Sequence, residues 1–119
     1  MAKNNSCNCD IDQIAKVWVN FNTAGVIGDS FGVSSVVKNS TGNFTVNFST
    51  SFLNSNYSAV FQARDTSASI VAVHIQAQTV SSVSIECRGG TATILGIVVT
   101  INDPIDPNLG INLIVFGKI

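Results

Sequence analysis

Charge is scarce in this 119-residue chain: only 11% of it is Asp, Glu, Lys or Arg, against roughly a quarter in an average soluble domain. Six basic residues against seven acidic ones leave a net charge of -1. No basic footprint exists to neutralise a phosphate backbone, so nucleic acid is not an expected partner. His74 is the only histidine and no Cys-x-x-Cys pair occurs, which excludes multi-histidine metal centres and the common zinc frameworks. Walker loops and dinucleotide fingerprints are absent, and Gly89-Gly90 reads as a turn. The apolar stretch from Ile94 to Ile101 is broken by Gly96 and Thr100, far short of the ~20 residues that span a bilayer. Membrane insertion is not expected. Residues 1–10 lack the apolar core of a secretory signal, so synthesis and folding in the cytoplasm are expected.

What is present is a 45% hydrophobic chain whose polar content comes from Ser, Thr and Asn. Its length fits one compact domain with a core of its own. A polar arm over residues 1–13 precedes a body over residues 14–119 in which apolar and polar residues alternate. Asp10 and Gln13 fit a capping box for one helical turn. From Lys16 onward the period is two. Phe44, Val46 and Phe48 share one parity while Asn43, Thr45, Asn47 and Ser49 share the other, the pattern of a strand with one wet face. Similar strands are expected over 17–21, 33–38, 57–64, 70–78, 82–88, 91–102 and 111–117, separated by turns such as Asn39-Ser40-Thr41-Gly42. About eight short strands with polar turns predict an all-β chain, an antiparallel β-sandwich of jelly-roll-like kind. Val60 lies beside Ala59 and Phe61, and Ile97-Val98-Val99 and Ile114-Val115-Phe116 are apolar on both parities. Either a second subunit or a long loop covers the outer face of such strands.

Catalysis has little foothold, and the chain is expected not to be an enzyme. His74 falls on the polar parity of its strand, as a surface or interface residue does. Asp10 with Asp12, and Asp103 with Asp106, are the only acidic pairs; neither supplies the six or more oxygens calcium requires, and each reads as a cap or a turn. No metal or cofactor is expected. Asn4, Asn39, Asn43, Asn47 and Asn56 begin Asn-x-Ser/Thr triplets, which in this composition read as coincidence. Cys87 shares the apolar parity of Val83 and Ile85 and reads as a small buried hydrophobe. Cys7 and Cys9 sit in the polar arm, where burial does not explain them. A bridge between residues two apart in an extended chain is strained, which makes intermolecular disulfides the expectation.

Three runs are recognisable: Ala15-Lys16-Val17-Trp18-Val19-Asn20-Phe21-Asn22, Asp29-Ser30-Phe31-Gly32-Val33-Ser34-Ser35-Val36 and Gly42-Asn43-Phe44-Thr45-Val46-Asn47-Phe48. Together they resemble a β-domain of tail fibre and related virion proteins of tailed bacteriophages, over roughly residues 15–57. Val26-Ile27-Gly28 stands where that pattern often has a basic residue before Asp-Ser. The resemblance implies a homotrimeric β-sandwich head on a virion, attached through the arm to a baseplate or tail protein and touching a host-surface glycan or protein. A capsid decoration protein is the alternative; copy number per particle separates the two. Trp18, opposite in parity to Val17, Val19 and Phe21, packs either in the core or against a neighbouring subunit or the arm. Alternating the strands from an attached end places residues 22–31, 50–56, 79–81 and 102–110 at the far end, unless Val26 and Ile27 open an additional strand. Asn102, Asp103, Asp106 and Asn108, with Phe52, Asn54 and Asn56 beside them, are the expected receptor contacts.

Overall fold

The computed structural model describes residues 14–66, 70–90, 92–93, 98–99 and 103–119. The arm, with Cys7, Cys9 and the proposed cap at Asp10, lies outside the described residues. Strands β1 (Val17–Phe21), β2 (Ile27–Phe31), β3 (Val33–Ser40), β4 (Asn43–Phe48), β5 (Ser58–Arg64), β6 (Ile70–Gln78) and β7 (Ser82–Gly90) are followed by the short pieces β8 (Ala92–Thr93), β9 (Val98–Val99) and β10 (Asp103–Pro104), and by β11 (Gly110–Phe116). No helix occurs among the described residues.

Two antiparallel sheets pack together. The first runs β2-β1-β11-β5; in the second, β3-β4-β7 is extended by β6 on β7 and by the two residues of β10. Alternation decides what each sheet buries: in β1 and in β4 every second residue is buried and those between are less so. Val17, Val19, Phe21, Ile111, Leu113 and Val115 from the first sheet meet Phe44, Val46, Val83, Ile85 and Cys87 from the second. The Phe21 and Phe44 rings touch across the layers at 5.1 Å between centroids. Full burial of side chains this size contributes about 1.5–3 kcal/mol each relative to exposure, so this layer holds the sheets together.

Consecutive strands form hairpins within a sheet at β1-β2, β3-β4 and β6-β7. A jelly roll instead sends most consecutive strands across to the other sheet, so this topology departs from the jelly-roll expectation. The turns at residues 22–26, 41–42 and 79–81 each fold the chain back onto its own neighbour as a hairpin. Gly32 makes the crossing from β2 to β3. Its φ is +74°, and a Cβ there would lie 2.5 Å from the Lys16 carbonyl oxygen, so the crossing needs glycine.

Two expected features are corrected. Residues 27–31 form a strand, whereas a single loop over 22–31 was expected. Residues 91–102 are not one strand, because Val98 pairs with Thr93 and Val99 with Ala92, so the two described pieces are antiparallel partners. Periodicity cannot separate one long apolar strand from two short ones.

Candidate functional site

The register divides the sandwich into two ends. At one, here the terminal end, the chain enters before Val17 and leaves after Phe116: the Lys16 amide donates to the Val115 carbonyl at 3.0 Å, and Leu53 donates to the Lys118 carbonyl at 2.7 Å. Loops 49–57 and 79–81 lie there too, since Phe48 donates to Ser81 and Phe52 to Val80. The opposite, loop end carries residues 22–26, 41–42, 65–66 and 103–109. The additional strand β2 puts loops 49–57 and 79–81 at the end opposite residues 22–26, while the division of residues 91–102 leaves 103–109 at the same end as 22–26; together these correct the expected clustering. Asp103, Asp106 and Asn108 sit at the loop end, while Phe52, Asn54 and Asn56 sit at the terminal end. Asn102 lies outside the described residues.

The loop end is braced by its own polar groups. Lys38 Nζ lies 2.6 Å from Asp106 and donates to the Thr23 carbonyl at 2.9 Å, tying the first sheet's turn to the last loop. The other Asp106 oxygen accepts from the Gly42 amide at 2.7 Å. Asn108 accepts from the Thr66 amide at 3.0 Å, donates to Thr66 Oγ1 at 2.8 Å, and its backbone amide donates to Asp65. Asp106 and Asn108, picked out as ligand contacts, are therefore occupied within the chain; Asp103 is exposed. Phe52 is only 3% exposed, in ring contact with Phe48 and Tyr57. As a receptor contact it is corrected to a core residue, because its apolar ring fills the terminal end of the core.

Asn54 and Asn56 do face solvent. They line a cleft of about 390 Å³ at the terminal end with Ser58, Phe116, Gly117 and Lys118. A second cleft of about 310 Å³, mostly apolar, lies between Lys16, Val17, Phe31, Gly32, Thr50 and Ile119.

The outer face of the first sheet carries a row that crosses all four strands. Phe31 pairs with Trp18, Trp18 with Ile114, and Ile114 with Val60. All four are exposed, at 59%, 38%, 41% and 62% respectively. Trp18 is thus an outer-face residue and not a core one. The next outward row is polar, with Asn20 donating to Asn112 at 2.6 Å.

The outer face of the second sheet is different in kind. Asn39 donates to Asn43 and Thr45, Asn43 to Gln76, and Asn47 to Ser35, while Thr45 and Ser84 hydroxyls meet at 2.9 Å. Glu86, 7% exposed, accepts from Arg88 Nε at 3.0 Å and lies 3.1 Å from His74 Nε2. His74 is half exposed beside it, as its parity indicated. Cys87 is a free, buried thiol, as expected of its parity; burial first, then the Asp106 and Glu86 charges, push its pKa up to about 12, so it is not an activated nucleophile. Burial likewise pushes the Tyr57 hydroxyl up to about 12, where it bonds the Thr79 and Ser82 carbonyls at 2.9 and 2.8 Å. Among the described residues no group of three His, Cys, Asp or Glu side chains could hold a metal ion.

Compared with known proteins, the chain matches no family model, no curated protein and no solved structure.

The apolar row escaped the sequence reading as a unit. Its signal was there in part, in the doubly apolar strands around Val60 and Ile114, but only the register aligns them with Trp18 and Phe31. The cleft was missed because Ser58 and Phe116 are distant in sequence and become cross-strand partners in the fold.

Proposed function

We propose that this protein is a non-enzymatic adhesion module, a short tail fibre of a tailed phage, working on the virion as a homotrimer. The outward row Phe31-Trp18-Ile114-Val60 carries this reading. Four large apolar side chains side by side, with Phe116 outward on the same face, are what sister copies around an axis would cover. Residues 1–13 attach the head to a baseplate or tail protein, with Cys7 and Cys9 bridging to neighbouring chains. The hydrogen bonds that brace the loops keep the head rigid, which lowers the conformational cost of a contact. Three copies on one unit raise a weak contact with a repetitive host surface by avidity.

Sedimentation of the purified chain tests the oligomer: a trimer is expected, and Trp18→Lys with Ile114→Lys should give a folded monomer. A wild-type monomer overturns the proposal. Electrophoresis with and without reductant tests the bridges, since a monomer-sized band in both lanes removes them. Adhesion is tested by competition, where the purified trimer should slow adsorption of the virus to its host. A copy number in the hundreds per particle would instead point to capsid decoration.

A further inference from the structure

We infer that the terminal-end cleft between Asn54, Asn56, Ser58 and Phe116 is a binding site for a neutral sugar, an assignment that rests on the adhesion reading and names what the module touches. Its construction is the argument. The half-buried side chain of Gln78 reaches from the second sheet and donates to the Ser55 and Tyr57 carbonyls, both at 2.7 Å. These are the two residues flanking Asn56. The Asn56 amide donates to Asn54 Oδ1 at 2.8 Å, closing the turn from the other side. Tyr57 is anchored in turn through its hydroxyl to Thr79 and Ser82. The backbone around Asn56 is held on every side, yet the Asn56 side chain bonds no described residue, and neither does the Ser58 hydroxyl.

The opposite wall is equally fixed. The Gly117 carbonyl accepts from Lys16 Nζ at 3.0 Å and the Lys118 carbonyl from Leu53 at 2.7 Å. A Cβ at Gly117 would lie 2.6 Å from Tyr57 Cβ, so glycine brings this strand end against the loop. Phe116, paired across the strands with Ser58, leaves its ring partly exposed in the cleft.

The chemistry of the lining selects the ligand. An amide and a hydroxyl each both donate and accept, which matches sugar hydroxyls, groups that do the same. The Phe116 ring offers an apolar surface to the C–H face of a pyranose. No carboxylate lines the cleft, Lys118 is its one charged lining residue and a donor that sugar hydroxyls can accept from, and the volume of about 390 Å³ suits one or two sugar rings. Groups fixed before binding lose little freedom when the ligand arrives.

The test is an NMR titration of the full chain with free glucose, galactose and N-acetylglucosamine, following the side-chain amide signals of Asn54 and Asn56. At least one sugar should move those signals, and Asn56→Ala and Phe116→Ala should each weaken that sugar at least about tenfold. Ser35→Ala, on the other sheet's outer face, should leave binding unchanged. Unaltered thermal melting shows that the Asn56 variant is folded. Signals that stay still with every sugar, or shifts that map elsewhere on the surface, overturn the site. If the purified protein competes for host cells and Asn56→Ala competes equally well, the sugar site fails while adhesion stands. If sugar binds but the protein never competes, adhesion is what fails.

Discussion

The two outer faces of the sandwich obey the same strand geometry and are opposite in chemistry. On the second sheet, outward Asn, Thr, Ser and Gln side chains bond one another across strands, and Val37 is the one large apolar side chain exposed there among the described residues. On the first, Phe31, Trp18, Ile114 and Val60 stand side by side in solvent. A sheet that satisfies its outward polar groups internally has little left to offer a partner. One that exposes an apolar row gains by being covered. In the proposed trimer, the first sheet's outer face is therefore the one to be covered and the second sheet's the wet exterior.

Substitutions in the shared core give the largest effect and check that the faces differ only outside. Phe21→Ala and Phe44→Ala, one from each sheet, should each cost about 3–5 kcal/mol in urea unfolding. A clearly smaller loss for either would mean that the two layers do not contribute equally. On the polar face, Glu86→Ala removes the acceptor of Arg88 and the neighbour of His74. About 1.5–3 kcal/mol should be lost, less in high salt because Arg88 is partly exposed.

Tyr57 lies where the layers close at the terminal end, and Tyr57→Phe should cost about 1 kcal/mol by leaving two carbonyls without their donor. Its titration has a definite sign. The hydroxyl's ordinary pKa of 10.0 rises to about 12 in the fold, so the neutral form is the folded one. The stability it contributes is complete below pH 10 and drains as pH climbs toward 12. Absorbance of this single tyrosine should therefore lag a model phenol and change together with alkaline unfolding. On the apolar face, Trp18→Thr should shift the unfolding of dilute monomer by about 1 kcal/mol, well below the core substitutions, since the residue is already 38% exposed. The same change should weaken self-association measurably in sedimentation. A large loss of monomer stability with no change in association would reverse the roles given to the two faces.

Inward residues were the readable part of the fold. Phe44, Val46 and Phe48, or Val83, Ile85 and Cys87, declare themselves by alternation, because a pleated strand sends every second side chain to the same layer. β2 did not declare itself. Ile27-Gly28-Asp29-Ser30-Phe31 has no apolar alternation and contains residues that strands disfavour, yet its backbone pairs with β1. Hydrogen bonds to a neighbouring backbone carry no side-chain signature. Asn54 and Asn56 came to lie at the opposite end from Asp103, Asp106 and Asn108 for another reason: residues 91–102 are not one strand, so three full strands, β5, β6 and β7, separate the two loops. Asp106 and Asn108 read as free polar groups on a loop for a related reason: their partners, Lys38, Gly42 and Thr66, lie at least forty residues away in the chain.

Composition and periodicity alone determined an all-β chain, the residues of its buried layer, the parity of His74 and the inert burial of Cys87. These depend on neighbours one or two positions away, which the linear order already contains. Which loops share an end, which polar groups are used up in bracing, and how four separate apolar residues line up into one row were decided only by strand register. Register is set by pairing between distant segments, and a shift of one position would have carried each of those side chains to the other face.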